Sequence, residues 1–163
     1  MELYLVRHGP AGKPDPAQWP DDTGRPLSSE GEEEFRQAAK GLGLLAPAVE
    51  FVLCSSLLRA RQTAAILEAE AGWPAALPHK ALAEPSPENL LKSLADYSDA
   101  SSIALVGHDP FLGWMVSLLI TGAADATSIK MGTGSMAHVT VDNLAAGGGT
   151  LVGLLQSSDL ARM

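Results

Sequence analysis

The chain has 163 residues, of which 46% are hydrophobic and 18% are charged, and its formal net charge is −8. This length predicts one domain spanning residues 1–163, and the hydrophobic content excludes disorder as its main state. The acidic balance disfavours nucleic acid and anionic membranes as partners, because both carry negative charge themselves.

The first predicted element is a buried strand at Leu3 to Val6, which is apolar and is followed at once by Gly9 and Pro10. We expect no secretion signal, because no basic segment followed by a long apolar one precedes this strand. Residues 10–26 then hold five prolines and two glycines, so no regular element fits there. A connection of this length is either a functional lid or an ordinary surface loop, and the pattern does not choose between them.

The first predicted helix follows this loop. Ser29 stands three residues before Glu32, which is the spacing of a capping box, where each side chain binds the other residue's backbone N–H. Apolar residues then recur at helical spacing from Phe35, and the pattern stops before Pro47. The sequence therefore predicts one amphipathic helix between these points.

The second predicted strand, at residues 51–54, ends in Cys54, which is the one cysteine of the chain. A single cysteine forms no intrachain disulfide and no four-cysteine metal site, which favours a reducing compartment, and we expect a cytoplasmic location. Ser55 or Ser56 is expected to cap the next helix, which ends at Gly72.

A proline-rich segment leads to a predicted helix from Pro87 to Tyr97 and then to a third buried strand, Ser102 to Val106. Beyond that strand, Asp109 is expected to cap a helix whose first residue is Pro110. This helix is predicted to run to Ile120. It is too short, and too often interrupted by small and polar residues, to cross a membrane.

The last predicted elements are two antiparallel strands, at residues 136–141 and 151–155, which a turn at the glycines 147–149 joins. The order of the elements predicts an α/β fold. We expect a three-layer α/β/α sandwich with a mostly parallel central sheet and an antiparallel terminal strand pair.

Four polar residues follow the carboxyl ends of the parallel strands, where ligands bind in folds of this kind. They are Arg7, His8, Arg59 and His108. The arginines offer several N–H donors to phosphate oxygens, and two helix N-termini add backbone N–H groups. In an acidic protein, these residues would create a local positive site, so the predicted ligand is a phosphoryl group.

A metal site is the alternative explanation for the two histidines at this edge. Neither His8 nor His108 lies in a His-x-x-His or Cys-x-x-Cys pattern, so we expect no metal and no cofactor. The other two histidines, His79 and His138, are expected to be ordinary surface or edge residues. Arg61 follows Arg59 by two positions and should point elsewhere on the helix.

Four segments resemble, in the same order, the signatures of the histidine phosphatase superfamily, which is also called the phosphoglycerate mutase-like superfamily. They are Leu5-Val6-Arg7-His8-Gly9, Arg25-Pro26-Leu27-Ser28-Ser29-Glu30-Gly31, Ser55-Ser56-Leu57-Leu58-Arg59-Ala60-Arg61-Gln62-Thr63-Ala64 and Val106-Gly107-His108-Asp109-Pro110. The small size, the absence of a long helical insertion and the segment Thr133 to Ala137 make the chain most similar to the SixA-like phosphohistidine phosphatase branch. The resemblance implies a phosphoglycerate mutase-like fold, with a structural hydrogen bond as the expected role of Arg25.

The resemblance also implies roles for the site residues. His8 would be the nucleophile, which attacks phosphorus in its neutral form and becomes a transient phosphohistidine that water hydrolyses. Arg7, Arg59 and His108 would hold the non-bridging oxygens, so that no metal is required. Larger members use a glutamate as general acid, and Glu84 is the best positional match. An imidazole leaving group, with a pKa of about 6.5, would need such an acid far less than an alkoxide does.

We therefore expect a metal-independent phosphatase that acts on phosphohistidine in a protein partner, such as a phosphotransfer domain or carrier. A phosphatase of a small phosphorylated metabolite, with residues 10–26 as its lid, is the enzymatic alternative. A phosphate- or phosphoprotein-binding module is the non-enzymatic alternative, which the presence of all four site residues disfavours. The sequence leaves the oligomeric state open.

Overall fold

The computed structural model describes residues 1–163, and its centre is a six-stranded mixed sheet. The strands are β1 (Glu2–Arg7), β2 (Phe51–Cys54), β3 (Leu77–Pro78), β4 (Ser102–Gly107), β5 (Met136–Val141) and β6 (Gly149–Leu155). They lie in the order β3-β2-β4-β1-β5-β6. The first four are parallel to one another, whereas β5 pairs antiparallel with β1 and β6 pairs antiparallel with β5. The α/β fold and its antiparallel terminal strand pair are confirmed.

Helices cover both faces of this sheet. They are α1 (Ser29–Leu45), α2 (Leu58–Ile66), α3 (Pro87–Ser93), α4 (Phe111–Thr121) and the single turn α5 (Ser157–Leu160). A π-helical turn, Leu67–Ala71, continues α2, and a 3₁₀ turn, Leu94–Tyr97, continues α3. Buried side chains of α1, α2 and α5 fill the core on one face, and those of α3 and α4 fill the core on the other. None of the helices is both long enough and apolar enough to span a bilayer.

Three helix starts differ from the sequence predictions. Ser28, rather than Ser29, caps α1 by accepting a hydrogen bond from the backbone N–H of Gly31, so the predicted capping box with Glu32 is wrong. Helix α2 begins at Leu58 without a side-chain cap. Asp109 does not cap α4, which begins at Phe111, because its carboxylate instead accepts a hydrogen bond from the backbone N–H of Met131 at 3.4 Å.

The loop of residues 10–26 is attached to the fold at both ends. Ala11 and Leu27 form an antiparallel bridge, and the backbone N–H of Ser28 donates to the carbonyl oxygen of Pro10. A Cβ atom at Gly31 would lie 2.0 Å from that same oxygen, so only glycine permits this approach of the loop to α1. The backbone N–H of Leu58 donates to the carbonyl oxygen of Thr23 at 2.9 Å, which holds the loop against the start of α2.

Candidate active site

The two central strands bring two histidines together. Arg7, the last residue of β1, lies opposite Gly107, the last residue of β4, and the backbone N–H of His8 donates to the carbonyl oxygen of Gly107 at 3.0 Å. The rings of His8 and His108 consequently lie side by side, with 5.3 Å between their centroids. Parallel strands that end at the same edge thus bring together residues a hundred positions apart, as the sequence predicts.

His8 is buried and is held in one orientation. Its Nδ1 donates to the carbonyl oxygen of Gly9 at 2.7 Å, while the backbone N–H of Gly9 donates to Thr63 Oγ1 at 3.0 Å. This contact leaves the lone pair on Nε2, which accepts a hydrogen bond from Arg59 Nε at 3.3 Å. Burial lowers the pKa of His8 to about 4, and the charges of Arg59 and Arg7 act in the same direction. The ring is therefore neutral at pH 7 and offers a nucleophilic nitrogen.

Arg59 lies in the first turn of α2 and is only 6% exposed. Besides His8, its guanidinium contacts Asp22 twice. Nη1 donates to the carbonyl oxygen of Asp22 at 3.0 Å, and Nη2 lies 3.1 Å from the carboxylate oxygen Oδ2. Arg59 therefore connects His8 Nε2 to the loop of residues 10–26.

Arg7 and His108 complete the cluster. Arg7 Nη1 donates to the carbonyl oxygen of Met131 at 2.6 Å, and His108 Nε2 lies 2.8 Å from the hydroxyl oxygen of Ser55. Burial lowers the pKa of His108 to about 3, and the neighbouring His8, Arg59 and Arg7 contribute to this shift, so His108 is also neutral at pH 7. Arg7 Nε and His108 Nδ1 are buried without any hydrogen-bond partner, which is uncommon and is typical of functional sites.

Asp22 is the site residue that the sequence analysis missed. Besides Arg59, it binds Arg25, whose Nε donates to Asp22 Oδ1 at 2.6 Å, and Arg25 also donates to the carbonyl oxygen of Gly12. These contacts agree with the structural role expected of Arg25. The available signal was an acidic residue three positions before an arginine, which marks a local ion pair but not the contact with Arg59, 37 residues away.

No hydrogen bond or ion pair joins the carboxylate of Glu84 to the four clustered residues. Its carboxylate pairs with Lys80 at 3.4 Å, and it lines a cavity of about 620 Å³ together with His79, Asn89 and Lys92, among others. None of Arg7, His8, Arg59 and His108 lines that cavity. The position of Glu84 gives no support to a role as general acid in this conformation.

The remaining candidates have ordinary surroundings. His79 binds Ser93, whereas His138 binds Glu2 and stacks on Tyr4. Arg61 is exposed. No group of three or more His, Cys, Asp or Glu side chains is arranged to hold a metal ion.

Comparison of this chain with known proteins identifies similar sequences and structures. The sequence model of the histidine phosphatase superfamily (branch 1) matches residues 3–86. Phosphohistidine phosphatase SixA of Escherichia coli is 34% identical over 158 residues, which are 92% of this chain and 90% of that protein. The structure of the protein histidine phosphatase SixA complexed with tungstate is similar with a TM-score of 0.85 at 27% identity, covering 98% of this chain and 99% of the other. The α-ribazole phosphatase of Shigella flexneri shares the fold, with a TM-score of 0.73 at 19% identity over 96% and 97% of the two chains.

Proposed function

Because the chain belongs to the histidine phosphatase superfamily and is a phosphatase of its SixA-like branch, we propose that it hydrolyses phosphohistidine in a protein partner through a phosphohistidine intermediate at His8. The observation that carries the proposal is the state of His8. Its Nδ1–H is engaged by the carbonyl oxygen of Gly9, and its Nε2 is unprotonated because the pKa of the ring is lowered to about 4.

In the first step, the lone pair of His8 Nε2 attacks phosphorus, and the bond between phosphorus and the substrate's imidazole nitrogen breaks. That nitrogen keeps the bonding electron pair. In the second step, water attacks the phosphorus on His8, the bond between phosphorus and Nε2 breaks, and its electron pair returns to Nε2. Inorganic phosphate leaves with the water oxygen, the water protons pass to phosphate and solvent, and the ring is neutral again. The carbonyl oxygen of Gly9 accepts the hydrogen bond from Nδ1–H throughout, and it stabilises the positive charge of the phosphorylated ring.

Arg7, Arg59 and His108 are the proposed phosphate ligands. Arg59 already donates a hydrogen bond to the nucleophilic nitrogen, so a phosphoryl group at Nε2 would lie within reach of its guanidinium. The two arginines supply positive charge and fixed N–H donors where charge rearranges in the transition state. Electrostatic stabilisation of this kind comes from the chain's own cations.

The position of Glu84 supports an imidazole as leaving group. Its carboxylate is paired with Lys80 and lines a cavity that none of the four clustered residues lines, so no contact of Glu84 with the cluster supports it as proton donor to a leaving group. An alkoxide leaving group has a far more basic oxygen than an imidazole nitrogen and depends more strongly on such a donor. Phosphohistidine is the phosphoryl donor that this arrangement suits best.

A phosphatase of a small phosphorylated metabolite is the second candidate. The backbone hydrogen bond from Leu58 N–H to the carbonyl oxygen of Thr23 favours it, because it holds the loop of residues 10–26 against the start of α2, as a lid over a small substrate would be held. For either candidate, the buried Cys54 and the absence of an intrachain disulfide support the cytoplasm as the proposed location.

The deciding experiment compares three substrate classes under the same conditions. They are a phosphohistidine-bearing phosphotransfer protein, a panel of sugar and nucleoside phosphates, and a chromogenic aryl phosphate. We expect kcat/KM to be highest for the phosphohistidine protein. A higher value for one of the small phosphates would replace the protein substrate with a metabolite, and a wild-type enzyme that turns over none of them would refute the proposal.

A further inference from the structure

Asp22 stands out in the backbone of the loop of residues 10–26. Its φ angle is 61°, and it is the one non-glycine residue of the chain with a positive φ. Most residues avoid this left-handed conformation, although aspartate and asparagine tolerate it better than others. The conformation turns both the carbonyl oxygen and the carboxylate of Asp22 towards Arg59.

The carboxylate of Asp22 lies between two arginines. Arg25 donates to it from Nε at 2.6 Å and from Nη2 at 3.2 Å, and Arg59 Nη2 lies 3.1 Å from Oδ2. The hydrogen bond from Arg25 lowers the pKa of Asp22, and Arg59 lowers it further, so the side chain is ionised at neutral pH. It is also 42% exposed, so one side of the carboxylate remains open to an incoming group.

A negative charge at this point affects substrates unequally. The guanidinium that binds Asp22 also donates to His8 Nε2, so a phosphoryl group transferred to His8 would lie close to the carboxylate. Two anions that share one guanidinium repel each other. The repulsion is strongest for a substrate that is a plain dianion, and it is offset for a substrate whose leaving group carries a positive charge beside the phosphorus.

We propose that Asp22 is a specificity-determining residue that favours phosphoryl donors with a cationic leaving group, namely a protonated imidazole, over phosphate esters. This inference rests on the proposed function and names the charge state of its substrate. In phosphohistidine, the nitrogen that does not carry phosphorus takes up a proton near neutral pH, as imidazoles do. The exposed side of the Asp22 carboxylate accepts a hydrogen bond from that N–H and holds the imidazolium form.

The transfer step then balances without an external acid. The lone pair of His8 Nε2 forms the new bond to phosphorus, and the electrons of the broken bond go to the substrate's nitrogen. Because the other nitrogen already holds its proton, the leaving group departs as neutral imidazole. A phosphate ester has no such proton and leaves as an anion, which the carboxylate of Asp22 repels.

The test is the variant Asp22→Asn, which removes the negative charge but keeps the size of the side chain and one oxygen acceptor. Asparagine also tolerates a positive φ angle. We measure kcat/KM for a phosphohistidine protein and for an aryl phosphate, and the inhibition constant of tungstate. We expect the kcat/KM for the phosphohistidine protein, divided by the kcat/KM for the aryl phosphate, to fall by about tenfold or more, because one nearby charge is lost. We also expect tungstate, which is an anion, to bind more tightly.

The matched control is Asp21→Asn, which makes the same charge change one residue earlier. The carboxylate of Asp21 binds only Thr23, so the ratio and the inhibition by tungstate should stay at wild-type values. Equal losses on both substrates in Asp22→Asn, with weaker binding of tungstate, would mean that Asp22 only positions Arg59, and they would overturn the inference. An unchanged ratio would overturn it as well.

Failure of the inference differs from failure of the proposed function. A wild-type enzyme that leaves phosphohistidine intact refutes the proposed function, and the role of Asp22 with it. A wild-type enzyme that hydrolyses phosphohistidine, together with an Asp22→Asn variant of equal selectivity, refutes only the role of Asp22.

Discussion

Replacing Arg59 with alanine tests the proposed phosphate site most directly. The side chain is buried and donates to His8 Nε2, so its removal takes away a fixed cation beside the reacting nitrogen. Loss of one such donor to developing charge reduces kcat by about 10² to 10³-fold, which corresponds to about 3 to 4 kcal/mol of transition-state stabilisation. We expect Arg59→Ala to lose activity within this range.

The pH of the assay separates this effect from a change in His8. Burial is the main cause of the lowered pKa of His8, and the charge of Arg59 lowers it further, so Arg59→Ala raises the pKa of His8 from its value of about 4. At pH 8, His8 is neutral in both enzymes, and the loss of kcat/KM reports phosphoryl stabilisation alone. The acid-side fall of kcat/KM should therefore begin at a higher pH in the variant than in the wild type.

Arg61→Ala is the matched control, since Arg61 lies on the same helix but is exposed. Its kcat/KM at pH 8 should stay within about twofold of wild type, as is usual for a surface substitution away from a site. The reasoning about Arg59 would be refuted by a larger loss in Arg61→Ala than in Arg59→Ala. A loss below about tenfold in Arg59→Ala, with the fold intact, would equally remove Arg59 from the phosphate site.

Three further predictions concern the proposed nucleophile and the general acid. His8→Ala should abolish turnover and the acid-labile, alkali-stable radiolabel that wild-type enzyme acquires from labelled substrate, and normal activity in this variant would end the proposed mechanism. As the pH is lowered, kcat/KM of the wild type should decrease only near pH 4, because His8 must be unprotonated to attack and its pKa is lowered to about 4. A decrease that already begins near pH 6.5 would contradict this. Glu84→Gln should leave hydrolysis of phosphohistidine nearly unchanged, whereas it should slow an alkyl phosphate by about 10²-fold if Glu84 is the acid. Equal severe losses on both substrates would point to an ordinary phosphate ester as substrate.

The sequence predicts the parts of the site that depend on strand ends. Leu3 to Val6 and Ser102 to Val106 are recognisable as buried strands, and parallel strands deliver the residues after them to one edge. For that reason the sequence alone predicts that His8 and His108 lie close together, and the structure shows their rings side by side.

The parts that the sequence does not predict depend on competition between distant groups. Ser55 is a good capping residue by type, but its hydroxyl contacts His108. The capping role of Asp109 is lost in the same way to the backbone of Met131. Asp22 contacts Arg59 and has a positive φ angle, and the residues next to it in the sequence predict neither feature. Strand β3 and helix α5 were missed because elements of two and four residues leave no periodic pattern.

The order of the strands has a consequence for how the protein forms as it is synthesised. Strand β4 lies between β1 and β2, although it comes about fifty residues after β2 in the chain. Without β4, strands β1 and β2 have no direct pairing, and the gap between them is about 10 Å, twice the usual strand spacing. A nascent chain that has emerged only as far as α3 therefore lacks the strand through which β1 and β2 join one sheet, although the hydrogen bond between Arg59 and His8 does not itself involve β4. Residues 102–108 both fill the gap between β1 and β2 and carry His108, so the centre of the sheet and one side of the candidate site depend on the same late segment of the chain.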